Sequence, residues 1–182
     1  GVPEEISQND TYGWFGFTGG SGSGDELSIS WYGNDAAAGI DSQLNQSYAM
    51  HMRSNGTTQM EATNVSFGSS EFVMDYDTKP GTQRYFMFLA LKLDNVYVGN
   101  NEATSSGTSP DQEITGVGFR PQGVMFLSGN HTAFDADKDH IGVTNGFATD
   151  EATDRNAGIV LTGQASGPEN VERRTDDATA FR

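Results

Sequence analysis

Short apolar runs set off by turn residues recur along this chain, and no window sustains the 3.6-residue apolar period of a helix. The pattern restricts the chain to strands. Leu27-Ser28-Ile29-Ser30-Trp31-Tyr32 alternates, and residues 48–52, 71–76, 123–127 and 158–161 are further strand-like runs. Tyr85-Phe86-Met87-Phe88-Leu89-Ala90-Leu91 is apolar at every position, as in a central strand covered on both faces. Asn55-Gly56, Lys79-Pro80-Gly81, Asp94-Asn95 and Gly99-Asn100-Asn101 punctuate the runs, and Gly19 to Gly24 reads as a flexible loop. Many short strands with regular turns predict an all-β fold, a jelly-roll-like β-sandwich with residues 85–91 at its centre.

The chain also meets itself again 130 residues on. Gly16-Phe17-Thr18 returns as Gly146-Phe147-Ala148, and Ser30-Trp31-Tyr32-Gly33 returns as Val160-Leu161-Thr162-Gly163. Residues 49–53 resemble residues 178–182, one residue out of step. Fixed-period similarity predicts one structural unit used more than once, repeated or permuted, with Phe17 and Phe147 at equivalent core sites and Trp31 matching Leu161. The expected division is the back part of one sandwich unit over residues 1–101, a linker or exposed loop over 102–112, and the front part of a second unit over 113–182. The second copy stops at Arg182 and no Met stands at Gly1. The expectation is therefore a fragment or cleaved part of a longer polypeptide.

Composition narrows the partners. Asp and Glu number 25 against 10 Lys and Arg, for a net charge of −15. Phosphate contacts need clustered cations, so DNA, RNA and anionic lipid are poor partners. No apolar run has membrane-spanning length. Cysteine is absent, so no disulfide or thiolate metal site holds the fold. An acidic, lysine-poor domain with 11 Phe and 6 Tyr is folded rather than disordered, and it fits adaptation to high salt, where self-repulsion is screened.

Catalytic machinery is hard to find. There is no Gly-x-Ser-x-Gly elbow, and the Gly/Ser loop lacks the Lys-Ser/Thr and following helix of a P-loop. His51 lies inside an apolar strand and reads as a packed or hydrogen-bonded core histidine. Two non-catalytic candidates remain. Asp135, Asp137 and Asp139 alternate through a short loop and place hard oxygen ligands on one side, which suits Ca2+; a solvated acidic loop has the same pattern. An EF-hand would need Gly at His140 and Glu at Gly146. Trp14, Trp31 and Tyr32 are candidates for a sugar-stacking platform, against the alternative that these rings fill the core. Asn-x-Ser/Thr sequons stand at Asn9, Asn45, Asn55, Asn64 and Asn130.

Ile114-Thr115-Gly116-Val117-Gly118-Phe119-Arg120-Pro121-Gln122-Gly123-Val124, followed by Met125-Phe126-Leu127, resembles a recurrent element of tailed-virus structural proteins, from phages or haloarchaeal viruses. Its form there is roughly T-G-V-G-F-x-P-x-x-V. A G-F-A-T element follows an acidic loop in that family, here Gly146-Phe147-Ala148-Thr149. Residues 65–76 and 84–91 are similar to two further strands of the family. The resemblance implies a β-sandwich located in the virion and carries over no active site. It implies a tail-fibre or receptor-binding subunit, or a capsid-surface decoration or turret subunit. Its partners would be other virion proteins and a host-surface glycan or glycoprotein.

An unfinished sandwich exposes strand edges, and exposed edges pair with other chains. A trimer or another cyclic homo-oligomer is therefore expected, working by assembly without enzymatic activity. The reading from another class is a Ca2+-dependent, lectin-like carbohydrate-binding module. Charge supplies a first test. If repulsion within the −15 chain opposes compaction, the thermal unfolding midpoint rises steadily from low salt to molar salt. A flat or falling trend contradicts the high-salt reading.

Overall fold

The computed structural model describes residues 10–19, 25–34, 39–54, 56–101, 112–129, 131–137, 140–149, 155–164 and 172–176. These residues hold strands and no helix, so the fold is all-β. The strands are β1 (Asp10–Thr18), β2 (Glu26–Asn34), β3 (Gly39–Asn45), β4 (Met50–Ser54), β5 (Thr57–Phe67), β6 (Phe72–Thr78), β7 (Gly123–Gly129), β8 (His140–Thr149), β9 (Arg155–Gln164) and β10 (Glu172–Asp176). They form three antiparallel meanders: β1-β2-β3, β4-β5-β6 and β7-β8-β9-β10. Such sheets follow from short connections, because two antiparallel strands need only a tight turn. Gly56, at φ 70°, supplies the left-handed residue between β4 and β5.

The first two meanders pack on one another. Met50 and Met52 of β4 join Met60 and Ala62 of β5 in a buried cluster, with Trp14, Met74 and Tyr76 packed against it. Unbranched methionines fill irregular gaps well, which suits a core assembled from two twisted sheets. Gly16 sets the distance between the sheets: a Cβ there would run into the backbone carbonyl of Ala49. The third meander approaches the first on the side of β2 and β3. Ile29, fully buried, reaches Gly129 at the end of β7.

The β2–β3 ladder of the first meander and the β9–β10 ladder of the third share their register. Trp31 pairs with Ser42 and, 130 residues on, Leu161 pairs with Glu172. Asp10 pairs with Asn34 and His140 with Gln164, before a register shift displaces the rest of the β8–β9 ladder by one. Their surroundings differ. Phe17 is half-buried, whereas Phe147 is 49% exposed and does not occupy a core site. Residues 178–182 and most of the proposed 102–112 linker lie outside the described residues.

Residues 85–91 correct the sequence expectation. They form no ladder, and Tyr85 and Met87 are 93% and 96% exposed. The run needs cover on two faces, and the described chain touches it on one, where the Phe88 ring meets Phe72 edge-on at 5.1 Å. Residues 124–127 do form a strand after bends at Gly116 and Gly118, both at positive φ, but Val124 and Met125 are exposed, so β7 is not a core strand at that end.

The sheet spacing gives a direct test. Gly16→Ala should destabilise the fold by about 2 kcal/mol, since neither backbone can yield cheaply. Gly81→Ala, with nothing within 4 Å of its added Cβ, should leave the urea midpoint unchanged.

Candidate functional site

A largely polar strand, β3, is among the most buried of the fold. Asp41, Ser42, Gln43 and Asn45 of β3 are all buried. Strand alternation divides them: Ser42 faces the same side as its partner Trp31, while Asp41 and Gln43 lie with Tyr32 and Ser30. Each side finds polar partners. Ser42 Oγ lies 3.2 Å from His131 Nε2. Gln43 donates to Asp137 at 3.0 Å, and the amide of Gly56 donates to Asp41. Asn45 accepts from the amides of Ser47 and Tyr48 and so turns the chain from β3 to β4.

Residues 131–137 close over the free edge of β3. The Asp135 amide donates to the Leu44 carbonyl at 2.7 Å, and Asp135 adopts φ 56° to do so. Arg53 forms an ion pair with Asp137 at 2.7 Å and donates from the same nitrogen to the Gly56 carbonyl. Burial pushes the Asp41 carboxyl up from its ordinary range, while the Gly56 amide and the Arg53 charge pull it down. Burial likewise raises Asp135. Both oxygens of Asp137 are thus engaged by Gln43 and Arg53 rather than presented to an ion. Asp139 lies outside the described residues, and among those residues no group of three or more His, Asp or Glu could hold a metal.

His51 links the two sheets from the other direction. Its Nδ1 is 3.0 Å from Ser30 Oγ, and its Nε2 is 3.9 Å from Glu61, whose other oxygen accepts from Thr78. A serine, a histidine and a carboxylate meet here, but Ser30 is 0% exposed, so its hydroxyl has no surface from which to attack a substrate. Burial first, and the Arg53 charge second, push His51 down to about 4. It is a neutral tether between sheets, the core histidine expected from its place in the sequence.

The aromatic candidates do not share a platform. Trp14 packs on the methionine cluster, and Tyr32 is buried. Trp31 points to the opposite face of the sheet, because strand neighbours alternate, and lies half-buried across Gly13 of β1. On that face Phe15, 38% exposed, meets Phe17 edge-on. Two sequons are out of reach of a glycan in the folded chain, since Asn45 and Asn64 are buried. Among the described residues, exposed large apolar side chains are most frequent over residues 85–97, and Met125 and Phe147 are exposed as a cross-strand pair elsewhere.

Sequence reasoning missed the β3 cluster because a strand of Asp, Ser, Gln and Asn carries no apolar signal. No family model, curated protein or solved structure matches the chain.

The depressed His51 makes stability depend on pH with a definite sign. An unfolded histidine takes its proton near pH 6.5, about 2.5 units above the folded value of about 4. Stability is therefore full above about pH 6.5 and drains as pH falls toward 4. Raised Glu26 and Asp41 act in the opposite direction, so the contrast must be taken against a variant. His51→Asn keeps a polar group near the Nδ1 position and removes this titration. Between pH 7 and 4 the wild type should lose about 2–3 kcal/mol more than the variant. Parallel pH curves would rule out a buried neutral His51.

Proposed function

We propose that this chain is a non-enzymatic structural subunit of a tailed-virus particle, working by assembly and surface presentation. The observation that carries the assembly half is the run at residues 85–91, where Tyr85, Met87 and Leu89 are 93%, 96% and 78% exposed. An apolar surface this continuous marks an interaction site. The edges of β6 and β7 add to it, since among the described residues each of these strands pairs on one side. The virion half rests on the T-G-V-G-F-R-P element at residues 115–121 and the G-F-A-T element at 146–149.

The matching register of β2-β3 and β9-β10 fits one unit used twice, with the unit boundary in residues 102–112. Repetition of one meander is an economical way to build an extended particle surface. Copies of the chain then meet in a trimer or another cyclic arrangement. The carbohydrate-binding reading has weaker support: Asp137 is committed to Arg53 and Gln43, and Trp31 stands apart from Trp14 and Tyr32.

Two measurements test the proposal together. Sedimentation of the purified chain should show a closed oligomer, and mass spectrometry of virus particles from the source culture should find the chain in many copies. A monomer with measurable hydrolase activity, or presence only in virus-free cells, overturns it.

A further inference from the structure

Arg53, near the end of β4, is buried beside two carboxylates and is paired with one of them. The partner is Asp137 of the 131–137 segment, at 2.7 Å. The other is Asp41 of β3, itself buried, which is attracted by the Arg53 charge and repelled by that of Asp137. Gly56 ties Asp41 and Arg53 to one point: its amide donates to Asp41 Oδ2, and its carbonyl accepts from Arg53 Nη2. Each of the two side chains has one group left over. Asp41 Oδ1 is a buried acceptor without a partner, and Arg53 Nε is a buried donor without one. Buried polar atoms are rarely left so, and here a spare donor and a spare acceptor occur in one cluster.

The segment that carries Asp137 is lightly held. Thr132, Ala133 and Asp135 are exposed, Phe134 and Ala136 are half-buried, and the Asp137 side chain is 47% exposed. The backbone bond from Asp135 to Leu44 requires φ 56° at Asp135, in the left-handed region that an L residue enters at a cost. The receiving side is built differently. Asp41, Arg53 and the Gly56 turn belong to the first two meanders and hold one another without the segment. Breaking a buried ion pair is expensive when it strands the remaining charge. Arg53 would not be stranded, because Asp41 stands ready to take it.

We propose that residues 131–137 are a strap that opens and closes over the edge of β3 as Arg53 exchanges between Asp137 and Asp41. In the closed state Arg53 holds Asp137, Gln43 donates to the same carboxylate, and Asp135 donates to Leu44. On opening, Arg53 Nε donates to Asp41 Oδ1, which satisfies both spare groups at once. Asp137 passes into water, and Asp135 is released from its left-handed conformation. The Ser42–His131 contact breaks, and the side of β3 that the strap covered meets solvent. The methionine cluster takes no part, so opening is local rather than a step of global unfolding. Arg53 is the two-state element, and its two carboxylates set the balance.

Hydrogen exchange and the Arg53 Nε–H proton resonance of the intact chain test this, in the wild type, Asp137→Asn and Asp41→Asn. Asparagine at position 41 keeps an acceptor for the Gly56 amide and turns a donor toward Arg53, which removes the second partner. The Asp135 amide should exchange at least tenfold faster in Asp137→Asn and at least threefold more slowly in Asp41→Asn. Amides of Met60 and Ala62, in the central strand β5, should keep their rates in both. In Asp137→Asn the Arg53 Nε–H signal should move downfield as it gains the Asp41 carboxylate, a readout that does not depend on Asp41→Asn folding. Faster exchange at Asp135 in both variants makes Asp41 a mere support of a fixed clasp and overturns the strap. So does an unchanged rate or an unmoved Nε–H signal in Asp137→Asn, or a rise at Met60 and Ala62 that matches the rise at Asp135.

Discussion

The Ser30–His51 hydrogen bond crosses from one sheet to the next at a point where both residues are fully enclosed. The sheets come close here because Gly16, lacking a Cβ, lets the Ala49 carbonyl approach β1. Met50 and Met52, on either side of His51 in the same strand, belong to the methionine cluster against which Trp14 of β1 packs. One strand, β4, is thereby tied on both sides, by a polar contact toward β2 and by apolar packing toward β5. A charged imidazole could not be accommodated in this place, since burial and Arg53 both oppose the proton. The neutral ring is part of the fold's geometry.

Arg53 extends the same logic to the sheet edge. A buried cation costs several kcal/mol to desolvate unless its partners are well placed. Here Asp137 and the Gly56 carbonyl take the same guanidinium nitrogen, and Asp41 adds its charge nearby. The loop of residues 131–137 is held across β3 by this clasp and by the Asp135–Leu44 backbone bond. The clasp blunts the edge of β3, which would otherwise be a template for pairing. The edge of β6 has no such cover among the described residues. The fold thus closes one edge with charge and leaves another beside an unpaired apolar segment.

Much of this was legible in the sequence, and the losses have physical causes. β2, β4, β6, β7 and β9 announce themselves through apolar runs and flanking turns. β3 does not, because its burial is paid in hydrogen bonds to His131, Asp137 and Gly56 rather than in apolar area. Asp137 looks like a ligand when read with its neighbours in sequence; its partner Arg53 stands 84 residues away. The tryptophans were separable in principle, since positions 14 and 31 fall on opposite faces once the β1–β2 register is known. Residues 85–91 expose the sharper limit. An all-apolar run states how much cover it needs and is silent on which molecule supplies it.

The two meanders make the same point at a larger scale. β2-β3 and β9-β10 share a ladder register, so these backbones solve the same local problem. What surrounds them differs: sheet β4-β5-β6 encloses the first, and Phe147 of the other remains exposed where Phe17 is half-buried. Register is set by turns and alternation within a meander, but burial is set by what packs against it. In a chain of net charge −15, self-repulsion opposes contact between copies, and it weakens as salt screens it. Apolar faces can therefore stay open on the single chain without collapsing on one another.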